Sequence, residues 1–166
     1  QVGGRPSEKH SYKCEITAAY MALQSIDPRD EGDITMDNQS VYDLIQKFQN
    51  GYSPKGRELV HTNSRNLSLH LRDRLRQQEG RLEYTRIDSH REKEQTEDEE
   101  LQKRRDILAE ADILAEIGTQ SDIIHSLPLH PDWSYALYDE NDILVDSDVN
   151  KAIRNRFNTI YKTEWL

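Results

Sequence analysis

The chain has 166 residues, 34 % of them hydrophobic and 32 % charged, with 22 basic against 31 acidic side chains for a net charge of −9. That length is one domain with a core of its own; the acidic balance excludes a general nucleic-acid coat, and the single cysteine, Cys14, excludes an internal disulfide framework. The mean hydropathy of −0.94, with no run near the roughly 20 apolar residues of a membrane span and no apolar leader, sets the expectation of an intracellular protein, cytoplasmic or nuclear, with no membrane.

Residues 1–10 hold two glycines and a proline without apolar periodicity and read as a loop or tail. From Tyr12 onward Ile16, Ala19, Tyr20, Leu23 and Ile26 recur at helical spacing, which predicts a helix ended by Asp27-Pro28. Cys14 reads as a small packed side chain in its first turn. Asp33 to Asp37 is short, alternating and bounded by turn residues, a strand signature. Asn38, Gln39 and Ser40 open a second helix with Val41, Leu44, Ile45 and Phe48 on one face, and Asn50-Gly51 stops it. A third helix carries Leu67, Leu71 and Leu75 and closes at Glu79-Gly80; Leu82 to Ile87 is a second strand with Asp88-Ser89-His90 at its far end.

Arg91 to Glu100 has no apolar residue and is a loop or the exposed start of a fourth helix, with Thr96 as a cap. That helix, Leu101 to Glu116, places Leu101, Leu108, Ala111 and Ala115 on a core stripe and ends at Gly118. Ser126 to Pro131 reads as a linker. Trp133, Tyr135 and Leu137, then Ile143 and Val145, alternate as the arms of a hairpin. Asp148 can cap a last helix with Val149, Ala152, Ile153, Phe157, Ile160 and Tyr161 inward.

Charge is unevenly placed. Residues 51–91 carry nine basic against five acidic side chains, and residues 92–122 four against eleven. That fits a phosphate-binding face beside a cation-attracting one, or an unevenly solvated surface. Three carboxylates sit where a core pattern does not require them. Glu15 lies in the first turn of the first helix, Asp37 ends a strand and precedes a helix, and Asp112 interrupts the stripe of the fourth helix. Brought together, such oxygens bind a hard divalent cation, and His90 would be a neutral-pH proton carrier beside them. Each also has a plain structural reading: Glu15 as a carboxylate on the helix dipole, Asp37 as a cap, His90 as a solvated strand-end residue.

Order along the chain adds to this. Lys13-Cys14-Glu15-Ile16-Thr17-Ala18-Ala19-Tyr20-Met21-Ala22-Leu23, followed by Ile34-Thr35-Met36-Asp37-Asn38, resembles the ribonuclease H family, in which a helix bears a metal-binding glutamate and a strand then ends in an aspartate. Asp88-Ser89-His90 is similar to that family's strand-end histidine motif, and Ala111-Asp112-Ile113-Leu114-Ala115 to its last aspartate helix. Asp106-Ile-Leu-Ala repeats the same local pattern and is the alternative for the last position. From Leu127 to Trp165 the chain is similar to the segment that follows this domain in some eukaryotic retroelement polyproteins.

The resemblance implies an α/β, ribonuclease H-like fold: a mixed sheet with helices on both faces over residues 11–120, followed by a small α+β appendage over 121–166. The family's opening strands and their aspartate in a D-G-S context are missing, so the domain reads as N-terminally truncated, with an unpaired sheet edge at Ile34 and Met36. It further implies Mg²⁺-dependent hydrolysis of the RNA strand of an RNA–DNA hybrid, with Mn²⁺ able to substitute. Glu15, Asp37 and Asp112 would be metal ligands, and His90 would assist water activation or product release. Asn38, Arg72, Arg74 and Arg76 would contact nucleic acid, and the rest of a reverse-transcriptase polyprotein would be the partner. A module of the same fold that binds without cutting is the other reading.

Overall fold

A computed structural model describes residues 8–55, 58, 62, 64–87, 98–118, 128–132, 136–139, 144–145 and 149–164. Its elements in chain order are helix α1 (Glu8–Gln24), strand β1 (Gly32–Met36), helix α2 (Gln39–Gln49), helix α3 (Arg65–Arg76), strand β2 (Leu82–Arg86), helix α4 (Glu99–Gly118) and helix α5 (Val149–Glu164). The chain is therefore mixed α/β. The expected mixed sheet is, among the described residues, a parallel pair, β1 beside β2, with Ile34 opposite Tyr84 and Met36 opposite Arg86. Parallel neighbours need a long crossover, which α2 and α3 supply.

Side chains alternate across a strand, and the pair uses both faces. Ile34, Met36, Leu82 and Tyr84 join Ile16 and Leu23 of α1, Val41, Ile45 and Phe48 of α2, and Leu67 and Leu71 of α3 in one apolar cluster. Ile16, Leu23, Ile45 and Leu71 are fully enclosed, each worth about 1.5–3 kcal/mol of burial. On the opposite face the polar Asp33 and Thr85 meet α4. Arg104 donates to Asp33 Oδ2 at 2.6 Å, to Thr85 Oγ1 at 2.7 Å and to Glu100 Oε1 at 2.8 Å. Helices thus cover both faces of the pair.

Local chemistry sets the helix ends. Asn38 Oδ1 accepts from the Val41 N–H at 3.1 Å and caps α2. At the other end Gly51 adopts φ +82°, with its N–H on Phe48 O and the Tyr52 N–H on Lys47 O, the paired closure that favours glycine after a helix. Helix α4 is capped by Asp98, whose Oδ1 accepts from Glu100 and Leu101; Thr96 lies outside the described residues. Helix α3 ends at Arg76, short of the predicted Glu79-Gly80. Gly80 has a different purpose: a Cβ there would stand 2.1 Å from Asp30 O. The turns entering β1 and β2 pack backbone to backbone at that point, with Glu79 and Gly80 N–H both on Pro28 O.

Three expectations are corrected by packing. Cys14 is exposed rather than packed. In α4 the predicted inner stripe holds at Leu101 and Leu108, which are half-buried, and fails at Ala111, which is exposed like its neighbours Ile113 and Leu114; the Ala115 side chain lies outside the described ones. A five-residue strand spans about 17 Å and a 20-residue helix about 30 Å, so the C-terminal half of α4 outruns the sheet that would cover it. In α5 Ile153, Phe157, Ile160 and Tyr161 are exposed rather than inward. Ile153, Phe157 and Ile160 border an open groove shared with Leu137 and Val145; of the predicted hairpin, the described residues show the antiparallel bridge Tyr138–Leu144. Asp148, its predicted cap, lies outside the described residues.

The stretch expected to be a linker is instead bound to α3. Pro128 O accepts from Asn66 Nδ2 at 3.1 Å and from His70 Nε2 at 2.9 Å, and Asn66 Oδ1 receives the His130 N–H at 2.8 Å. His130, 4 % exposed, lies 2.8 Å from Asp73 Oδ2 through Nε2 and accepts the Asp132 N–H on Nδ1. That pairing fixes the Nε2–H tautomer for the neutral ring. Burial raises the Asp73 pKa, but the bonds from Arg72 and His130 outweigh it and hold the carboxyl below its ordinary value.

Candidate carboxylate site at the tip of the first strand

Helix α1 begins at Glu8, so Glu15 stands two turns inside it, too far in to serve the helix dipole, whose effect fades within the first turn. The half-buried Asp37 directly follows the last residue of β1. Its structural alternative, capping α2, is filled by Asn38. Asp112 is carried by the C-terminal half of α4. These three side chains line one cleft of about 350 Å³, together with Cys14, Ala18, Ala19 and Ala22 of α1, Ile34 to Met36 of β1, and Leu108 and Ala111 of α4.

Electrostatics agrees with the geometry. Burial first, then the neighbouring carboxylates of Asp37 and Asp112, raise the Glu15 pKa above its ordinary value. Three like charges facing one small space favour a bound cation, and hard oxygen donors suit a divalent one. Among the described residues, however, no three His, Cys, Asp or Glu side chains form a group that could hold a metal ion as they stand. No fourth carboxylate appears among the described residues lining the cleft. Asp106, the alternative to Asp112, instead accepts from Gln102 Nε2 at 2.9 Å on the exposed side of α4 and is absent from the cleft. His90 lies outside the described residues.

Of the three arginines expected at nucleic acid, two are turned into the protein. Arg72 is 4 % exposed and spends its guanidinium on Asp73, Ser53 and Asp132. Arg74, 5 % exposed, donates to Ile26 O and Gln78 Oε1. Both are consumed by the protein because α3 is covered by the turn after α1 and by residues 128–132. Arg76 is half-exposed, 3.8 Å from Asp73. Sequence reasoning missed His130, Asp73 and Asp132, whose cluster joins residues 57–60 positions apart. It also missed Arg104, for which the spacing of Glu100 and Arg104 was the available signal.

No family model, curated protein or solved structure matches this chain.

Proposed function

We propose that the chain is a ribonuclease H-like nuclease domain of retroelement reverse-transcriptase origin, cutting the RNA strand of RNA–DNA hybrids with Mg²⁺ or Mn²⁺. One observation carries the reading: Glu15, Asp37 and Asp112, distant in sequence and singled out by the family's motif order, line the same cleft, where burial and the two aspartates raise the Glu15 pKa. Helices on both faces of a parallel strand pair support it at the level of architecture.

The donors, all carboxylate oxygens, are of the type magnesium takes, although as they stand the three do not form a group that could hold the ion. Glu15, Asp37 and Asp112 would hold it, with water completing the shell, since Mg²⁺ keeps several waters in most sites. When bound, the ion supplies positive charge at the scissile phosphate and lowers the pKa of a water. Asp37 is fixed at the strand tip because Asn38 takes over capping. Glu15 is held by a rigid helix, its backbone flanked by the fully buried Ile16. Asp112 depends on α4, which Arg104 ties to the sheet. His90 would assist water activation or product release, and RNA would be distinguished by its 2′-hydroxyls and helix shape. Asn38, with its Oδ1 committed to the cap, retains only its amide nitrogen for nucleic acid, and Arg76 remains the one arginine of α3 for a phosphate.

A second reading, a module of the same fold that binds without cutting, is favoured by the three-carboxylate complement. Cleavage of a hybrid carrying a labelled RNA strand separates the two. The expected result is Mg²⁺-dependent product that disappears in Asp37→Asn. No product even at high Mn²⁺, with hybrid binding retained, would leave the non-cutting module.

A further inference from the structure

Helices α4 and α5 each present an exposed apolar face, and the two faces carry opposite charge. On α4, Leu108, Ala111 and Asp112 line the cleft, and Arg104 meets the sheet. At 3.6 residues per turn, Ile107, Glu110, Ile113 and Leu114 fall on the other side of the helix. The three apolar side chains there are 51–61 % exposed, with the exposed Glu110 among them. Beyond Arg105 the helix carries four acidic residues, Asp106, Glu110, Asp112 and Glu116, and no basic one.

Helix α5 is the converse. Ile153, Phe157 and Ile160 follow one another at helical spacing, 41–58 % exposed, and border the open groove of about 630 Å³ that Leu137 and Val145 also line. Arg156 lines the same groove, and helical geometry puts Arg154 on the other flank of the apolar stripe. Lys151, Arg154, Arg156 and Lys162 stand in this helix against Glu164 alone. Contiguous exposed apolar surface of this kind marks an interaction site. A groove takes a helix through anchors one and two turns apart, the spacing of Ile107, Glu110 and Leu114.

We infer that the α5 groove is the docking site for the outer face of α4 from a second copy of this chain, with Ile107 and Leu114 entering beside Phe157 and Glu110 meeting Arg156. The folded chain does not bring its own α4 face to the groove, since both stay exposed. Charge selects the occupant. RNA phosphates would neutralise the arginines but leave Phe157 and Ile160 in water. An anionic membrane would suit α5 and repel α4. A second copy satisfies both faces at once, and two such contacts about a two-fold axis close a dimer. The net charge of −9 per copy opposes this little at about 0.15 M salt, where exposed charges more than about 8 Å apart are screened; the local pairing decides. The inference does not rest on the nuclease reading, because the cleft uses the other side of α4.

The test is sedimentation velocity of the whole chain at rising concentration in about 0.15 M salt. A monomer–dimer equilibrium is expected. Phe157→Ser should weaken it at least about tenfold, a difference of about 1.4 kcal/mol. Glu110→Arg and Arg156→Glu should each do the same, because like charges then meet at both contacts. Mixing those two variants should restore the dimer, since each supplies the charge the other has lost, a result that misfolded chains cannot imitate. A monomer at every concentration, a dimer indifferent to the substitutions, or a mixture that stays monomeric would overturn the inference. So would a monomer that sediments with vesicles of anionic lipid through Phe157, which would give the groove to a membrane surface. Hybrid cleavage is read in a separate experiment, so either idea can fail without the other.

Discussion

Asn38 relieves Asp37 of a structural duty. Its Oδ1 accepts the Val41 N–H at 3.1 Å and closes the start of α2, so the adjacent carboxylate at the tip of β1 faces the cleft it shares with Glu15 and Asp112. Two neighbouring polar residues with the same capping talent are thereby divided, one to the fold and one to the site.

The division has a measurable signature. Asn38→Ala should cost about 1 kcal/mol, the usual worth of an N-cap, lowering the melting temperature by about 2–4 °C for a chain of this size. Asp37→Asn should leave urea stability unchanged or slightly raised while abolishing any divalent-ion effect. The reverse pattern would return Asp37 to a capping role.

Glu15 gives a pH dependence with a definite sign. Its pKa is raised in the folded protein from the ordinary value of 4.5, so the folded state holds the proton more tightly than the unfolded state. Stability therefore falls as pH rises through 4.5 toward the raised value, and stays lowered above it. Glu15→Gln should gain on the wild type across that window and be the more stable protein at neutral pH. Urea denaturation from acid to neutral pH measures this, and a constant difference between the two proteins would oppose it. Added Mg²⁺ should raise the melting temperature of the wild type and not of the variant.

Asp73 has the opposite sign. Its carboxyl is held below the ordinary 3.8, so its contribution is present above that value and is lost as pH falls through the lowered one. Arg72→Met removes the buried guanidinium that Asp73 and Asp132 share and should cost about 1–3 kcal/mol, the two carboxylates being exposed enough to rehydrate. Hybrid affinity should be little changed in Arg72→Met and reduced in Arg76→Gln. A large loss of affinity in a folded Arg72→Met would restore the phosphate-contact role.

Gly80→Ala places a methyl against the carbonyl oxygens of Asp30 and Arg29, 2.1 and 2.6 Å from the new carbon. Backbone on both sides cannot rotate away, so at least about 2 kcal/mol of destabilisation is expected in urea titrations. A near-neutral substitution would mean that the turns before β1 and β2 separate easily.

What was legible in the sequence was local. The stop at Asn50-Gly51, both strands, and the core positions Ile16, Leu23, Val41, Ile45, Phe48, Leu67 and Leu71 follow from periodicity and turn chemistry, and the structure places them so. The meeting of Glu15, Asp37 and Asp112 at one cleft came from motif order, since no spacing within a single element joins a helix, a strand tip and a second helix. The rest depended on contacts remote in sequence. A basic face on α3 looks solvated until residues 128–132 and the turn after α1 cover it. The apolar stripe of α4 has the correct period but extends beyond the sheet, a mismatch of lengths that periodicity does not encode. Gly80 looked like a helix stop because a glycine needed for close backbone approach is identical in sequence to one needed for a turn.

Paramagnetic broadening by Mn²⁺ in amide-resolved NMR tests the carboxylate site most directly. Substoichiometric Mn²⁺ is expected to erase first the signals around Glu15, Asp37 and Asp112 together, with the effect removed by excess Mg²⁺ and absent in Asp37→Asn. Broadening centred on another acidic stretch such as Glu99-Glu100, or spread evenly over the surface, would contradict a divalent-ion site at the tip of β1.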